Sequence, residues 1–415
     1  STLMRSSAAS DVYKRQLQNM MFAVGIGTGV GVNALLSKSL GEKNQSRANK
    51  TAENGLFLAL CSYLVFLVLG LTVVRPYFYA QTSDMDIARQ GILYLSICCV
   101  LSLGLFTQTM GEKLLAATGR THLSMISQLV GAVVNIVLDP IFIFVLDMGV
   151  TGAAVATVIG QFCGCILALI FNLKKNKEIH LQFRGFRPNW RLVGNIYAIG
   201  LPSVIMVAIG SVMTFCMNKI LIAYHSAKET AATAFGIYFK LNSFIFMPVF
   251  GLNNGVVPIV AYNYGARNRK RMVETIKRGA LYASIIMVFG TVLFWVIPGP
   301  LLKIFDATDT MLSVGIPALR IISISFCMAG ACIALGASFQ ALGRSLYSMI
   351  TSIVRQLVFL IPIAYVLARY GASVGNSDLV WWSYPIAEVF SLTLTLFFFR
   401  HLYKTVIAQL PEGRE

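Results

Sequence analysis

The chain has 415 residues, of which 56% are hydrophobic and only 12% are charged. This composition excludes an ordinary soluble domain and a disordered protein, and it predicts a chain that lies in a lipid bilayer. The net charge of +17 does not indicate nucleic-acid binding, because the basic loops are short and contain few aromatic residues.

Runs of about 20 apolar residues, the length that crosses roughly 30 Å of hydrocarbon, predict eleven membrane-spanning helices. They lie at residues 18–39, 54–74, 90–110, 123–146, 150–173, 192–223, 232–263, 280–299, 312–340, 346–368 and 380–402. The eight cysteines all fall within these spans, without a CxxC pair or a metal-binding spacing to histidine. The predicted fold class is therefore an all-α polytopic membrane protein.

Lys and Arg are concentrated in one set of the loops between these spans, which includes residues 174–191 and the tail at 404–415. The loops of the opposite set hold only Arg75, Arg89, Lys228, Lys303 and Arg369. Because cytoplasmic loops carry the excess of basic residues, the loop at 174–191 and the C-terminus are predicted to be cytoplasmic.

The chain contains an internal repeat. Residues 31–55 align without gaps on residues 255–279, and the matched positions include Asn44 with Asn268. Residues 118–126 align on residues 342–350 at the same sequence offset. Two matches in one register indicate that the chain is built from two related halves.

The repeat predicts two six-helix bundles with eleven of twelve helices present, because at this offset the counterpart of the span at 192–223 would precede residue 1. Two copies with an even number of helices are expected to share one direction, related by a pseudo-twofold axis along the membrane normal. The polar opening at 1–16 is interpreted as a non-native leader. The remaining predicted parts are an N-terminal lobe at 17–173 (helices 2–6), the cytoplasmic loop at 174–191, a C-terminal lobe at 192–403 (helices 7–12) and the tail at 404–415.

Two glycines in the first span, Gly27 and Gly31, have the small-xxx-small spacing of closely packed helices. The glycine-rich segment at 24–32 lies inside the span and is not followed by Lys-Ser or Lys-Thr, so it does not indicate a nucleotide-binding loop.

A carboxylate inside an apolar span is the first candidate site. Asp139 lies four residues after Asn135, so both side chains project from one helical face. Pro140 cannot donate to the carbonyl of Ile136, and the next span returns Thr157 from the same membrane side. Together these groups predict a site for a hard cation or a proton, because intramembrane carboxylates are functional by default. A protonated aspartate that only supports packing is the alternative.

A second set of charged residues lies in the predicted C-terminal lobe: Lys240, Arg320, Arg355 and Glu388. Lys240, Arg320 and Glu388 each lie about eight residues inside the same membrane face, so a Lys240–Glu388 pair is geometrically feasible. Such a pair serves either to neutralise two buried charges or to switch between states, as in gating or proton coupling.

Several segments resemble the multidrug and toxic compound extrusion (MATE) antiporters, especially the MepA-like bacterial branch. The likeness covers essentially Leu17 to the C-terminal tail, and its most specific segments are "LLSKSLGEKNQSRANK", "NIVLDPIFI", "FGIYFKLNSFIFMPVFGLNNGVVPIVAYNYGARN" and "WWSYPIAE". The resemblance implies a V-shaped pair of six-helix bundles in the bacterial plasma membrane. It also implies export of amphipathic, often cationic compounds in exchange for Na+ or H+.

The resemblance further implies a cation site in the N-terminal lobe. The family uses an Asp on the first helix, an Asn and an Asp one turn apart on the fifth, and a Thr on the sixth. Asn135, Asp139 and Thr157 match the last three by helix and spacing, whereas the helix of the first Asp is missing. Such a protein is not an enzyme, has no cofactor beyond its coupling ion, and is expected to be a monomer whose partners are drug-like molecules and membrane lipid.

The charged residues and loops leave two other functions open. A lipid-linked oligosaccharide or lipid flippase of the same superfamily would need a cationic cleft, for which Lys240, Arg320 and Arg355 are the candidates. A membrane-embedded transferase is a more remote alternative, because it would need a catalytic cluster in a substantial loop and every loop is short.

Overall fold

The computed structural model describes the backbone of residues 2–81 and 83–413 and the side chains of residues 18–80 and 83–413. Every regular element in this part of the chain is a helix. The α-helices are α1 (Thr2–Gly41), α2 (Gln45–Thr72), α3 (Val74–Gln81), α4 (Met85–Val100), α5 (Leu103–Ala117), α6 (Thr121–Pro140), α7 (Gly149–Lys174), α8 (Trp190–Tyr224), α9 (Glu229–Gly265), α10 (Arg269–Val296), α11 (Pro298–Lys303), α12 (Asp309–Ser323), α13 (Phe326–Ala341), α14 (Ser345–Ile353), α15 (Ile361–Val374) and α16 (Ser383–Leu402).

Short π and 3₁₀ segments extend or join several helices: Ile141–Val145, Val354–Leu360, Ser377–Trp382 and Tyr403–Ile407. In the described residues, nine helices are long and apolar enough to cross a membrane, and two bent pairs raise the number to eleven. The predicted all-α polytopic class is thus confirmed. The predicted leader at 1–16 lies outside the described side chains, although α1 includes its backbone from Thr2.

Two of the predicted spans are bent rather than straight. The α4–α5 pair bends by 48° and the α12–α13 pair by 52°. A serine lies at each bend, and its hydroxyl donates to the carbonyl three residues earlier, Ser102 to Cys99 and Ser325 to Ile322, both at 2.7 Å. The Cys99 and Ile322 carbonyls also accept the backbone N–H of the same serine, at 3.3 and 3.1 Å, so each hydroxyl adds a second hydrogen bond at the break in the helix.

The internal repeat recurs in the local structure of each half. Helices α2 and α10 begin and end at positions that the repeat register pairs with each other. Asn44 and Asn268 cap them, each accepting a backbone N–H three residues later, at 3.0 and 3.1 Å. Just before each cap, Lys43 and Arg267 both have a φ of 54°, in the left-handed region that turns the chain out of the preceding helix. The same sequence register thus produces the same turn twice.

The predicted loop at 174–191 is irregular up to Asn189 and lies along α2. The backbone N–H groups of His180 and Gln182 each donate to a side chain of α2, Asn49 and Glu53, both at 3.0 Å. By contacts, the chain divides into residues 1–204 and 205–415, called here unit 1 and unit 2. The boundary falls inside α8 because the first half of that helix packs against α1. The division into two lobes joined by the loop at 174–191 stays a prediction.

The close helix packing predicted for Gly27 and Gly31 is confirmed, and α8 is the partner. A Cβ on Gly27 would lie 2.8 Å from the carbonyl oxygen of Gly200, and one on Gly31 would overlap the carbonyl oxygen of Ile196. Gly200 is in turn pressed against the backbone of Gly27. The nearest atom to a Cβ on Gly27 would be a Val204 side-chain methyl, at 2.5 Å, whereas Gly31 and Gly200 meet backbone atoms first, and backbone cannot move aside as a side chain can.

We expect Gly31→Ala to lower the free energy of unfolding by about 1–3 kcal/mol, the usual cost of overpacking a well-packed contact. Gly194→Ala is the matched control, because it lies on α8 with no atom within 4 Å of its Cβ position, and alanine favours a helix by about 1 kcal/mol over glycine. The measurement is the thermal unfolding midpoint in detergent. If Gly31→Ala unfolds at the same temperature as Gly194→Ala, the contact is not tight.

Candidate functional site

The structure brings Asn135, Asp139 and Thr157 together between α6 and α7. The Asn135 amide lies 3.2 Å from the Thr157 hydroxyl. With the amide nitrogen turned toward Asp139, it donates to Oδ2 at 3.2 Å, and the amide oxygen accepts from the Thr157 backbone N–H at 3.0 Å. All three side chains are half-buried. The four-residue spacing and the return of α7 thus place the residues as the sequence predicts, and their role as a cation site stays a prediction.

Asp139 keeps one oxygen without a hydrogen bond. Its Oδ1 is buried and has no partner among the described residues. Directly after it, Pro140 interrupts the hydrogen bonding of α6, and the helix continues as the π segment Ile141–Val145, in which the Leu146 N–H donates to the Ile141 carbonyl at 2.9 Å. A carboxylate oxygen without a donor, next to an irregular helix turn, is a ready acceptor for a proton or a cation.

The sequence did not single out two further residues near this site, Tyr94 on α4 and Gln18 on α1. The Tyr94 side chain is within hydrogen-bonding reach of both Thr157 and Gln18. The only signal in the sequence was a polar tip inside an apolar span, and a tyrosine there is too common to single out. With them the site combines carboxylate, amide, hydroxyl and phenol oxygens, the ligand type of hard cations.

Among the residues whose side chains the structure describes, this site carries one carboxylate, that of Asp139. Among the described residues, no group of three or more His, Cys, Asp or Glu side chains could hold a metal ion. A single negative charge suits a monovalent cation or a proton, because one carboxylate balances one positive charge.

In unit 2, Glu388 pairs with Arg355 rather than with Lys240. Its Oε1 lies 3.8 Å from an Arg355 guanidinium nitrogen, and the glutamate side chain is only 9% exposed. Tyr238 and Cys332 lie close enough to interact electrostatically with this pair. The Tyr238 and Tyr384 rings lie 6.2 Å apart.

The predicted Lys240–Glu388 pair is wrong, although the two depths agree. Lys240 is exposed, and its ammonium lies 5.6 Å from the centre of the Phe305 ring. The two side chains differ in their direction around the helix axis. Tyr238 is buried on the core face of α9, and Lys240, two positions later, points about 200° away from it around the helix.

Arg320 does not join the pair either. It is exposed and donates to the Trp295 carbonyl at 3.4 Å. The four predicted members therefore form one buried ion pair, Arg355–Glu388, and two separate surface positions.

A polytopic helical membrane protein with a repeated bundle and buried carboxylates at helix interfaces has the architecture of a membrane transporter. The MatE family profile matches residues 14–141 and 202–366, well over half of the chain. The chain belongs to the MATE family of multidrug efflux transporters, as its sequence motifs predict.

Curated relatives agree with this assignment. The multidrug export protein MepA of Staphylococcus haemolyticus is 26% identical over 380 residues, covering 91% of this chain and 82% of the relative. MepA of Staphylococcus aureus strain bovine RF122 / ET3-1 is 25% identical over 405 residues, covering 95% and 87%. The chain is thus similar to proteins named for multidrug export.

Solved structures show the same fold. An outward-facing multidrug resistance MATE transporter of the MOP superfamily superposes with a TM-score of 0.91 at 21% identity, covering 97% of this chain and 89% of the other. A MATE structure in complex with MaL6 has a TM-score of 0.92 at 20% identity, covering 97% and 90%. The chain thus has the fold of known MATE structures.

Proposed function

We propose that the protein is a secondary active multidrug antiporter that exports amphipathic, often cationic compounds in exchange for Na+ or H+ by alternating access. Membership of the MATE family and similarity to MepA support multidrug export. The observation that carries ion coupling is the buried Oδ1 of Asp139, which has no hydrogen-bond partner among the described residues and lies beside Asn135 and Thr157.

The coupling step is a change of charge at Asp139. Without a cation, the carboxylate holds an uncompensated negative charge in a half-buried place, which is costly. A proton or Na+ on Oδ1 removes that cost and draws in the oxygens of Asn135 and Thr157. If two states of the protein bind the cation with affinities that differ by about 1.4 kcal/mol, occupancy shifts their ratio tenfold. Drug and cation then compete by favouring opposite states.

The Arg355–Glu388 pair is proposed as a second charge switch, within unit 2. Its 3.8 Å separation is long for a direct salt bridge, and Glu388 Oε1 has no hydrogen-bond partner among the described residues. A loosely paired buried charge can exchange partners at lower cost than a tight one. Lys240 and Arg320 are not part of this switch.

The remaining parts of the proposal follow from the transporter class. The protein has no catalytic site and no cofactor apart from the coupling ion. It works as a monomer in the bacterial plasma membrane with its C-terminus in the cytoplasm, and it contacts only its small amphipathic substrates and lipid. Lipid flipping is less well supported, because the three basic side chains that a phosphate-binding cleft would need each contact a different residue. Arg355 pairs with Glu388, Lys240 lies near the Phe305 ring, and Arg320 donates to the Trp295 carbonyl.

The test is transport by the protein reconstituted in vesicles, with ethidium as the cationic probe. We expect ethidium to move against its concentration gradient when an opposing Na+ or H+ gradient is imposed, and to equilibrate only when neither gradient is present. Transport of a fluorescent phospholipid that ethidium does not inhibit, with no ion-driven ethidium movement, would support a flippase instead.

A further inference from the structure

Unit 1 contains a second buried carboxylate that the proposed function does not use. Glu112, on α5, is 8% exposed and accepts hydrogen bonds from two amides. Gln108 donates to Oε1 at 2.9 Å and Gln128 to Oε2 at 2.8 Å, while the Ser127 hydroxyl lies 3.4 Å from Oε1. Such a set of neutral donors from α5 and α6 stabilises the charged form of a buried carboxylate.

Glu112 and the Asp139 site lie along the same face of α6. Asp139, Asn135, Gly131 and Ser127 follow one another at steps of four residues, which align on one side of a helix. A Cβ on Gly131 would lie 3.4 Å from the Gln108 amide nitrogen. The Gln108 side chain, which donates to Glu112, therefore lies beside Gly131, one helical turn from Asn135.

Helix α7 makes room for both groups on consecutive turns. Asn135 packs against Gly160, where a Cβ would lie 3.1 Å from the Asn135 Cβ. Gln108 packs against Gly164, one turn further along α7, where any side chain would collide with its amide. The two polar clusters are thus neighbours in one helix interface, separated by the bare backbone of glycines.

The position of Glu112 points to exchange with the cytoplasm. It lies five residues before the end of α5, or about 8 Å by helical rise, on the side where the basic loops are predicted. Gln128 is exposed, so the carboxylate is one side chain away from the surface of unit 1. The next residue, Lys113, is the charged group that acts electrostatically on Glu112. The aliphatic part of the Lys113 side chain packs against Gly29 of α1.

The chemistry of the cluster suits a small cation. Rotating either glutamine amide by half a turn replaces a donated N–H by an amide oxygen, so the same side chains can surround a bare carboxylate or a carboxylate with a cation. Carboxylate, amide and hydroxyl oxygens are the ligands that hard cations prefer. A purely structural link between α5 and α6 would need no ionisable group in the membrane.

We propose that Glu112 is an inner station for the coupling cation, which passes between Asp139 and the cytoplasm by way of Glu112. This inference rests on the proposed antiport function. Asp139 sets the equilibrium between cation and drug, whereas Glu112 sets how fast the cation moves to and from the inner side. The two carboxylates therefore have different phenotypes.

Three measurements in the intact protein separate these roles: competition between ethidium and Na+ or H+ at equilibrium, ethidium exchange without an ion gradient, and gradient-driven ethidium transport. For Glu112→Gln we expect unchanged competition, exchange within twofold of wild type, and driven transport at least tenfold slower. Glu112→Asp should recover part of the driven rate. Running the driven assay with a Na+ gradient at equal pH, and with a pH gradient without Na+, identifies the cation.

Gln128→Met is a second variant, in which Glu112 itself is unchanged. Because the Gln128 side chain is exposed, this substitution is not expected to disturb folding. It should also slow gradient-driven transport while leaving exchange unchanged. Glu274→Gln is the control, an exposed carboxylate paired with Arg278. Driven transport at the wild-type rate in Glu112→Gln, or an equal loss of exchange and driven transport in both variants, overturns the proposal. Absence of ion-driven transport in the wild type would instead overturn the antiport function itself.

Discussion

Replacing Asp139 by asparagine is expected to leave the protein folded in the membrane and to abolish ion-driven export. Asparagine has nearly the same shape and can still bond to Asn135, but it cannot change charge. The state preference that a cation imposes on the carboxylate is then lost. In reconstituted vesicles under a Na+ or H+ gradient, ethidium transport should fall to the rate of passive equilibration, and the equilibrium competition between ethidium and the cation should disappear.

The matched control is Asp147→Asn, two residues beyond the π segment Ile141–Val145 that extends α6. Asp147 is exposed and has a φ of 50°, a left-handed conformation that asparagine adopts as readily as aspartate. Transport by this variant should equal that of the wild type. Wild-type transport by Asp139→Asn would show that Asp139 serves packing alone, and the loss of transport in both variants would point to a general effect of acidic residues in this region.

The second large effect is expected in unit 2. Arg355→Leu leaves Glu388 buried without its counter-ion, a change that destabilises proteins by about 3–5 kcal/mol. Because the Arg355 side chain is 26% exposed and the pair is 3.8 Å apart, we expect a loss near the lower end, about 3 kcal/mol. The measurement is the thermal unfolding midpoint in detergent at constant protein concentration.

Adding Glu388→Gln to Arg355→Leu should restore most of the lost stability, because the unpaired charge is removed. Arg278→Leu is the control, since its partner Glu274 is 51% exposed and surface pairs contribute about 0–1 kcal/mol. If the single Arg355 variant is as stable as the Arg278 variant, or if the double variant is less stable than Arg355→Leu, the pair does not hold the buried charge.

The two sets of predicted site residues had different outcomes for a physical reason. Asn135 and Asp139 lie on one helix, where a spacing of four residues fixes their relative direction. Thr157 lies on the next helix, and the short connection between the two helices brings it to a similar depth. Lys240 and Glu388 lie on different helices, and a count of residues gives only depth. Whether two side chains at equal depth meet depends on how each helix is rotated about its axis, which is decided by packing.

The amino-acid sequence by itself determined the membrane-spanning segments, the internal repeat and the Asn135–Asp139 spacing, because hydropathy, periodicity and identity are local properties. It also showed that Gly27 and Gly31 favour a close helix, without showing which one. Only the tertiary structure decided that α8 is that helix, that Glu388 faces Arg355, and that Tyr94 and Glu112 belong to polar clusters. Tyrosines and glutamines in apolar spans become informative only when rotation and packing bring their polar ends to a partner, since water cannot satisfy them there.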